Sequence, residues 1–341
     1  MGTKPNILLI YTGGTIGMMK DFSTGALKAF DFDQLLDKIP ELTQLACSIE
    51  TISFASPIDS SNMSIEKWGQ MAQLIQDHYE QFDGFVILHG SDTMSYSAAA
   101  LSFMLENLAK PVVLTGSQLP IGDLRTDAKE NLITAIQIAA LQHKNKAVIQ
   151  EVCLYFEYKL YRGNRTTKIN AEHFNAFASP NYPAIAESGV HLKVNEDLLL
   201  PAHHKKFVVH TELDAHVVIV KLFPGLSEVV FTALLAIPNL KGLVLETYGS
   251  GNAPSADWFI AALKQAIAKG LQVVNVTQCA GGSVRMGDYE TSTQLKAIGV
   301  ISGKDITTEA AITKLMYLLG QQVDPAVFKT IFETSLRGEL T

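Results

Sequence analysis

The sequence predicts an α/β fold in two unequal domains, and three observations predict it. Short apolar runs alternate with stretches of helical periodicity. The runs are continuous and not alternating, as in strands covered on both faces. The alternation loosens once, around residues 192–214, and then resumes. Strands bounded by helices in this order give right-handed βαβ units and a mostly parallel sheet.

The elements follow in order. Asn6–Thr12 is a buried-strand run ending in Gly13-Gly14, and Ile49–Phe54 is a second strand. Trp68, Met71, Ala72 and Ile75 fall at helical spacing in a helix from about Ser64. Gly84–His89 is a continuous apolar strand, followed by a helix stripe of Met94, Ala98, Leu101, Leu105 and Leu108. Pro111–Thr115 is the next strand. Asp127 and Glu130 form a helix-start signal ahead of Leu132, Ile136 and Ala139, and Ala147–Phe156 reads as a strand. These elements make an N-terminal domain over 1–191. HLKVNEDLLLPAHHKKF, with its charges and Pro201, reads as a linker over 192–214. A C-terminal domain over 215–341 then has strands at Val217–Leu222, Gly242–Thr247 and Leu271–Val276. Its helices are Pro254–Lys269, closed by Gly270, and Thr308–Leu319, closed by Gly320.

Composition limits the function classes. With 47% hydrophobic and 18% charged residues, 341 residues suffice for two substantial cores. A formal net charge of −7 without a basic stripe argues against a nucleic-acid partner. Cys47, Cys153 and Cys279 are odd in number and form no CxxC, so reduced thiols are expected. The first apolar run, Ile7–Tyr11, is too short for a secretory signal, and no stretch reaches membrane-span length. A cytoplasmic location is the resulting expectation. His203-His204 lack metal-ligand spacing, so no metal is assigned.

In an open parallel sheet, ligands bind beyond the carboxyl ends of the strands. The first four strands end in Thr12-Gly13-Gly14-Thr15-Ile16-Gly17, Asp59-Ser60-Ser61-Asn62, His89-Gly90-Ser91-Asp92-Thr93 and Thr115-Gly116-Ser117-Gln118. One hydroxyl-bearing loop is ordinary turn chemistry, and Ser91-Asp92 alone could be capping residues. Four such loops on one rim indicate a pocket lined by hydroxyls and backbone N–H groups. Nucleotide binding competes with this reading, but Gly13-Gly14-x-x-Gly17 is not G-x-G-x-x-G and no GK[ST] follows. His89, inside an apolar strand, reads as a hydrogen-bonded core residue.

TGGTIGM at Thr12–Met18 and HGSDTM at His89–Met94 resemble, in order and spacing, the two signature loops of bacterial asparaginases, in particular the cytoplasmic type I L-asparaginases. DSSNM at Asp59–Met63, LTGSQ at Leu114–Gln118, YRGNRTTK at Tyr161–Lys168, YGSGNAP at Tyr248–Pro254 and the final LRGELT extend the resemblance over essentially the whole chain. It implies a larger N-terminal domain with a flavodoxin-like, mostly parallel sheet and a smaller C-terminal α/β domain. It implies hydrolysis of L-asparagine to L-aspartate and ammonia through a threonine acyl-enzyme, no metal or organic cofactor, and a homodimer or homotetramer.

Position by position, Thr15 matches the family's nucleophile. Ser91, Asp92 and Lys168 match its second triad, where threonine is usual at position 91. Asp59, Ser60 and Ser61 match the loop gripping the substrate's amino and carboxylate groups, and Ser117 a residue of the pocket floor. Two departures stand out. Many members carry a tyrosine on the loop after the first signature, where this chain has Gly25-Ala26 on a segment, residues 18–30, whose content suits a mobile lid. Tyr317, on a C-terminal helix, is the candidate substitute, with a core aromatic as its alternative reading. In addition, some type I members have a second asparagine site, matched here by Thr167, Thr277, Gln278 and Cys279, with Glu246 in place of an arginine. A carboxylate there repels the effector's carboxylate, so weak or absent activation is expected.

Two alternatives remain open. One is a glutaminase-asparaginase, since a single methylene shifts pocket affinity by only about 1–3 kcal/mol. The other is a non-catalytic amino-acid or nucleotide sensor, which has no need of Thr15, Asp92 and Lys168 together.

Overall fold

A computed structural model describes residues 4–20, 27–29, 39–288 and 290–341. The chain divides into two compact units, Met1–Thr211 and Glu212–Thr341. The first unit is built from β1 (Asn6–Gly13), β2 (Ser48–Ile58), α1 (Ile65–His78), β3 (Gly84–Leu88), α2 (Met94–Met104), β4 (Val112–Thr115), α3 (Ala128–Ala139), β5 (Val152–Phe156), β6 (Lys159–Arg162), β7 (Ala186–Glu187) and β8 (Lys193–Val194). Among the described residues these strands form one sheet in the order β8-β7-β6-β5-β4-β3-β1-β2. Pairing is parallel from β2 to β5 and antiparallel from β5 to β8.

The parallel order 2-1-3-4-5 is that of a flavodoxin-like sheet, with its switch point between β1 and β3. The apolar runs of β1, β3 and β4 are buried on both faces, so their sequences show no alternation. α1 buries the expected Trp68, Met71, Ala72 and Ile75. α2 is buried on nearly all sides by small residues, including Ser95, Ser97 and Ala98. It ends at Met104, so Leu105 and Leu108 do not continue the helix. Leu105–Glu106 instead pairs with Val208–Val209, a contact across about a hundred residues that local periodicity cannot report.

The segment expected as a linker over 192–214 is largely part of the first unit. Leu192, Val194, Leu198 and Leu199 pack on its core. The buried Arg162–Glu151 pair (2.6 Å) ties the segment down. Arg162 Nη2 donates to the Leu198 carbonyl at 2.7 Å, and Glu151 accepts from Leu200 N at 3.0 Å.

The second unit holds four parallel strands in the order β9 (Val217–Lys221), β10 (Gly242–Thr247), β11 (Gln272–Thr277) and β12 (Ile301–Ser302). Its helices are α4 (Glu228–Leu235), α5 (Asp257–Ala268), α6 (Glu290–Ala297), α7 (Thr308–Gly320) and α8 (Pro325–Phe332). Phe231, Leu243, Leu245, Phe259 and Leu263 centre one core. Lys314 on α7 is wholly buried. It pairs with the equally buried Glu339 and donates to the carbonyls of Phe332 and Thr334, each at 2.7 Å. No helix among the described residues is long and apolar enough to cross a membrane.

Candidate active site at the carboxyl ends of the parallel strands

Side-chain hydroxyls lock the strand ends in register. Tyr11 on β1 lies opposite Leu88 on β3, and Leu88 lies opposite Thr115 on β4. Thr12 Oγ1 donates to the Leu88 carbonyl at 2.8 Å, and Thr115 Oγ1 to the Tyr155 carbonyl at 2.9 Å. The loops that leave these ends therefore start from a rigid edge.

Glycines bring three of the loops into close contact. Gly14, which precedes Thr15, has φ +88°, and a Cβ there would lie 2.5 Å from Gly90 N. A Cβ on Gly90 would lie 2.6 Å from Ser60 Oγ. Only hydrogen fits at either position. Thr93 Oγ1 adds a bond to the Ser60 carbonyl at 2.8 Å. The loops after β1, β2 and β3 thus form one interlocked backbone surface at the switch point. Thr15 opens a short 3-10 turn, Thr15–Gly17, and is partly exposed.

On the loop after β3, Ser91 and Asp92 start a 3-10 turn leading into α2, and neither caps that helix. Both face Lys168, whose Nζ donates to Ser91 Oγ at 2.8 Å and to Asp92 Oδ1 at 2.7 Å. The Lys168 side chain is 17% exposed and that of Asp92 67% exposed, so the amine is partly withdrawn from water while its carboxylate partner remains in it.

Asp59 accepts from Ser61 N at 2.9 Å and Ser61 Oγ at 2.8 Å. These two donors hold its carboxyl below the usual carboxylate range, ready for a cation. Ser60 is buried beneath Gly90, while Asp59 and Ser61 are exposed.

Ser117 is buried, and its hydroxyl donates within its own loop to Leu119 O at 2.5 Å. Two residues here were read in the sequence only as a loop end and a helix-start signal. Gln118 Oε1 accepts from Ser91 Oγ at 3.3 Å, while Gln118 Nε2 donates to the carbonyls of Ala171 and His173 at 3.2 and 3.0 Å. Asp127 stands at the helix start that its sequence signal marks, but its carboxylate does not cap α3. It accepts from Gln118 N at 2.9 Å and Leu119 N at 3.1 Å and so fixes the loop after β4. A carboxylate nine residues beyond a strand-end loop was the available signal.

The remaining positions are distributed between the units. Thr167 lies in the first, on a short strand paired with Phe177–Ala178. In the second, Glu246 Oε1 accepts from Thr308 Oγ1 at 2.7 Å, with Lys221 Nζ 3.9 Å from Oε2. Thr277 Oγ1 donates to Gly249 O at 2.6 Å and accepts from Cys279 N at 3.1 Å. Gln278 Nε2 donates to the carbonyls of Leu222 and Glu246. Tyr317 is buried on α7. Of the segment expected as a lid, Met18–Lys20 pairs antiparallel with Leu27–Ala29, and Asp21–Ala26 lie outside the described residues. Among the described residues no three His, Cys, Asp or Glu side chains stand together as a metal site would need.

This arrangement joins an exposed carboxylate, clustered hydroxyls and an amine on a locked backbone rim, which suits an amino-acid-sized substrate and acyl transfer. Residues 6–200 match the family model for the asparaginase N-terminal domain, and residues 216–332 that for the glutaminase/asparaginase C-terminal domain. The chain is 44% identical to L-asparaginase 1 of Escherichia coli (strain K12), over 99% of this chain and 98% of that protein. It is 34% identical to L-asparaginase of Thermococcus kodakarensis, over 98% and 99% of the two chains. The crystal structure of L-asparaginase I from Vibrio cholerae superposes with a TM-score of 0.91 at 39% identity, covering 99% of this chain and all of that one. With both domain models matched in order and relatives aligned end to end, the chain belongs to the asparaginase family.

Proposed function

We propose that the protein hydrolyses L-asparagine to L-aspartate and ammonia, with Thr15 as nucleophile. The observation that carries this reading is the Lys168 amine bonded to both Ser91 and Asp92, on a loop whose Gly90 abuts the Gly14 that precedes Thr15. A threonine hydroxyl is a weak nucleophile and needs a neighbouring base or polarising group. The Thr15 hydroxyl adds to the side-chain amide carbon. The C–N bond then breaks, and the nitrogen leaves as ammonia with a proton taken from the site. Water attacks the resulting ester, releasing aspartate and restoring the hydroxyl. Backbone N–H groups on a rigid glycine rim stabilise the oxyanion by a few kcal/mol. Asp59 receives the substrate's ammonium, Ser60 and Ser61 its α-carboxylate, and Ser117 closes the floor.

Ammonia release from L-asparagine, L-glutamine and D-asparagine by the wild type and Thr15→Ala tests the reading. L-asparagine is the expected substrate, and T15A is inactive with an intact fold. Unchanged turnover by T15A would sink the nucleophile assignment.

The protein is cytoplasmic and works as a homodimer or homotetramer in this reading. Cys47, Cys153 and Cys279 are all unbridged, as a reducing compartment keeps thiols. Phe223, Val229, Val230 and Ile237 expose an apolar surface on the second unit that a further copy can cover. Glu246 replaces a cationic partner for an effector carboxylate, so activation by asparagine is weak or absent.

A further inference from the structure

A buried chain of hydrogen bonds runs from α1 to the loop that carries Ser91. Trp68 Nε1 donates to Ser97 Oγ at 2.8 Å. Ser97 Oγ lies 2.8 Å from His89 Nε2, and His89 Nδ1 lies 2.7 Å from the Gly90 carbonyl. His89 and Ser97 are completely inaccessible to solvent, and Trp68 nearly so.

The Gly90 carbonyl fixes the tautomer. An indole nitrogen only donates, so the Ser97 oxygen is an acceptor toward Trp68. Its single hydroxyl hydrogen is then available to an unprotonated Nε2. Nδ1 carries the imidazole hydrogen and donates it to the Gly90 oxygen. The opposite tautomer sets two lone pairs against each other at 2.7 Å. Burial keeps the ring neutral, pushing its pKa down to about 4, so it has one N–H to give.

A trans peptide points its C=O and N–H in opposite directions. Holding the Gly90 oxygen therefore fixes the direction of the Ser91 N–H. Gly90 is also the residue on which Gly14 closes and beneath which Ser60 is packed. Gly14 meets the His89–Gly90 peptide at His89 C, Gly90 N and Gly90 Cα, and that peptide joins the Gly90–Ser91 peptide, where the hydrogen-bond chain ends, at Gly90 Cα.

We propose that His89 is a positioning residue for catalysis: it clamps the Gly90–Ser91 peptide, presenting Ser91 at a fixed angle and giving the Gly14–Thr15 loop an immobile seat. The proposal rests on the reading of Thr15 and Ser91 as members of the reacting site.

Two substitutions in the full-length enzyme separate this role from core packing. Asparagine places its amide N–H near the position of Nδ1, and glutamine its amide oxygen near that of Nε2. His89→Asn therefore keeps the bond to Gly90 and loses the acceptor for Ser97, whereas His89→Gln does the reverse. Misplacing a reacting group by an ångström lowers turnover on the order of a hundredfold. The expected result is that H89Q loses kcat on that scale, while H89N stays within about tenfold of wild type despite the lower Tm. Equal kcat losses in both, or kcat losses that follow Tm, overturn the proposal. If neither variant folds, Ser97→Ala decides, because it removes the partner that anchors Nε2 and leaves the ring in place. S97A then lowers kcat several-fold at little-changed KM, and unchanged kcat overturns the clamp. T15A, assayed in parallel, keeps the two readings apart. An active T15A refutes the nucleophile, whereas an inactive T15A with identical H89N and H89Q refutes only the clamp.

Discussion

Lys168 Nζ lies 2.8 Å from Ser91 Oγ, and the hydroxyl hydrogen of Ser91 is directed away from it, toward Gln118 Oε1. The serine oxygen thus keeps its lone pairs on the lysine side. Ser91 links the amine to the loop that Asp127 fixes.

Removing the amine is expected to separate activity from stability. Lys168→Met lowers kcat by about 10²–10⁴ if Lys168 moves a proton in the reaction. The ion pair to the largely exposed Asp92 contributes little to folding, within about 1 kcal/mol. Steady-state ammonia release beside a urea titration checks both halves. A kcat within tenfold of wild type would remove Lys168 from the mechanism.

Gly14→Ala places a methyl on Gly90's backbone at a φ that L-residues avoid. Strain of this kind amounts to about 1–3 kcal/mol per residue, and here its relief must move the Thr15 loop. Activity is expected to fall to background with the second unit's secondary structure retained. Circular dichroism and single-turnover assays check this, and wild-type turnover in G14A would refute the interlock.

His89 makes stability depend on pH with a definite sign. Its pKa in the folded protein is about 4, below the ordinary 6.5. Between those values the unfolded chain binds the proton and the folded one does not. Stability therefore falls as pH drops from about 6.5 toward 4 and levels off below. The contribution by pH 5 is a loss of about 2 kcal/mol. Urea unfolding at pH 7.5 and 5 should show a smaller pH effect in H89N than in wild type. Identical slopes would place the imidazole's proton elsewhere.

Initial rates against L-asparagine concentration are expected to be hyperbolic. The Glu246 carboxylate already accepts Thr308's hydroxyl and has Lys221 alongside. It offers no cation to an effector carboxylate. Sigmoidal rates that Glu246→Ala abolishes would show instead that an activating site exists and uses this carboxylate.

Breaking the buried Lys314–Glu339 pair destabilises the second unit. Glu339→Gln leaves an unneutralised ammonium in the interior, at a loss of about 3–5 kcal/mol. Replacing both, as Lys314→Met with Glu339→Leu, recovers part of it. Thermal unfolding of the single and double variants checks the order, which fails if the double is the less stable.

The parallel core was legible because its strands are buried on both faces. Ile7–Tyr11 and Phe85–Leu88 need no partner to be recognised as apolar runs. What stayed hidden depends on distant contacts. Leu105 reads as helix because its pairing with Val209 lies far along the chain. The charges of 192–200 read as linker, though Arg162 and Glu151 hold that stretch against the first core. At the site, strand ends followed by hydroxyls exposed the rim. The site roles of Gln118 and Asp127 escaped the sequence because a glutamine in a turn and an acid at a helix start have commonplace local explanations. Their roles appear only when the loops are seen together.

The glycine interlock bears on how this enzyme can be redesigned. Gly14 and Gly90 admit no side chain, and each loop abuts a neighbour. Mutations that reshape the backbone of one loop are therefore transmitted to the next. Altered substrate choice is more accessible through side chains mounted on that frame, such as Ser61 and Gln118. A library confined to such positions should retain folded members far more often than one that randomises the loops themselves.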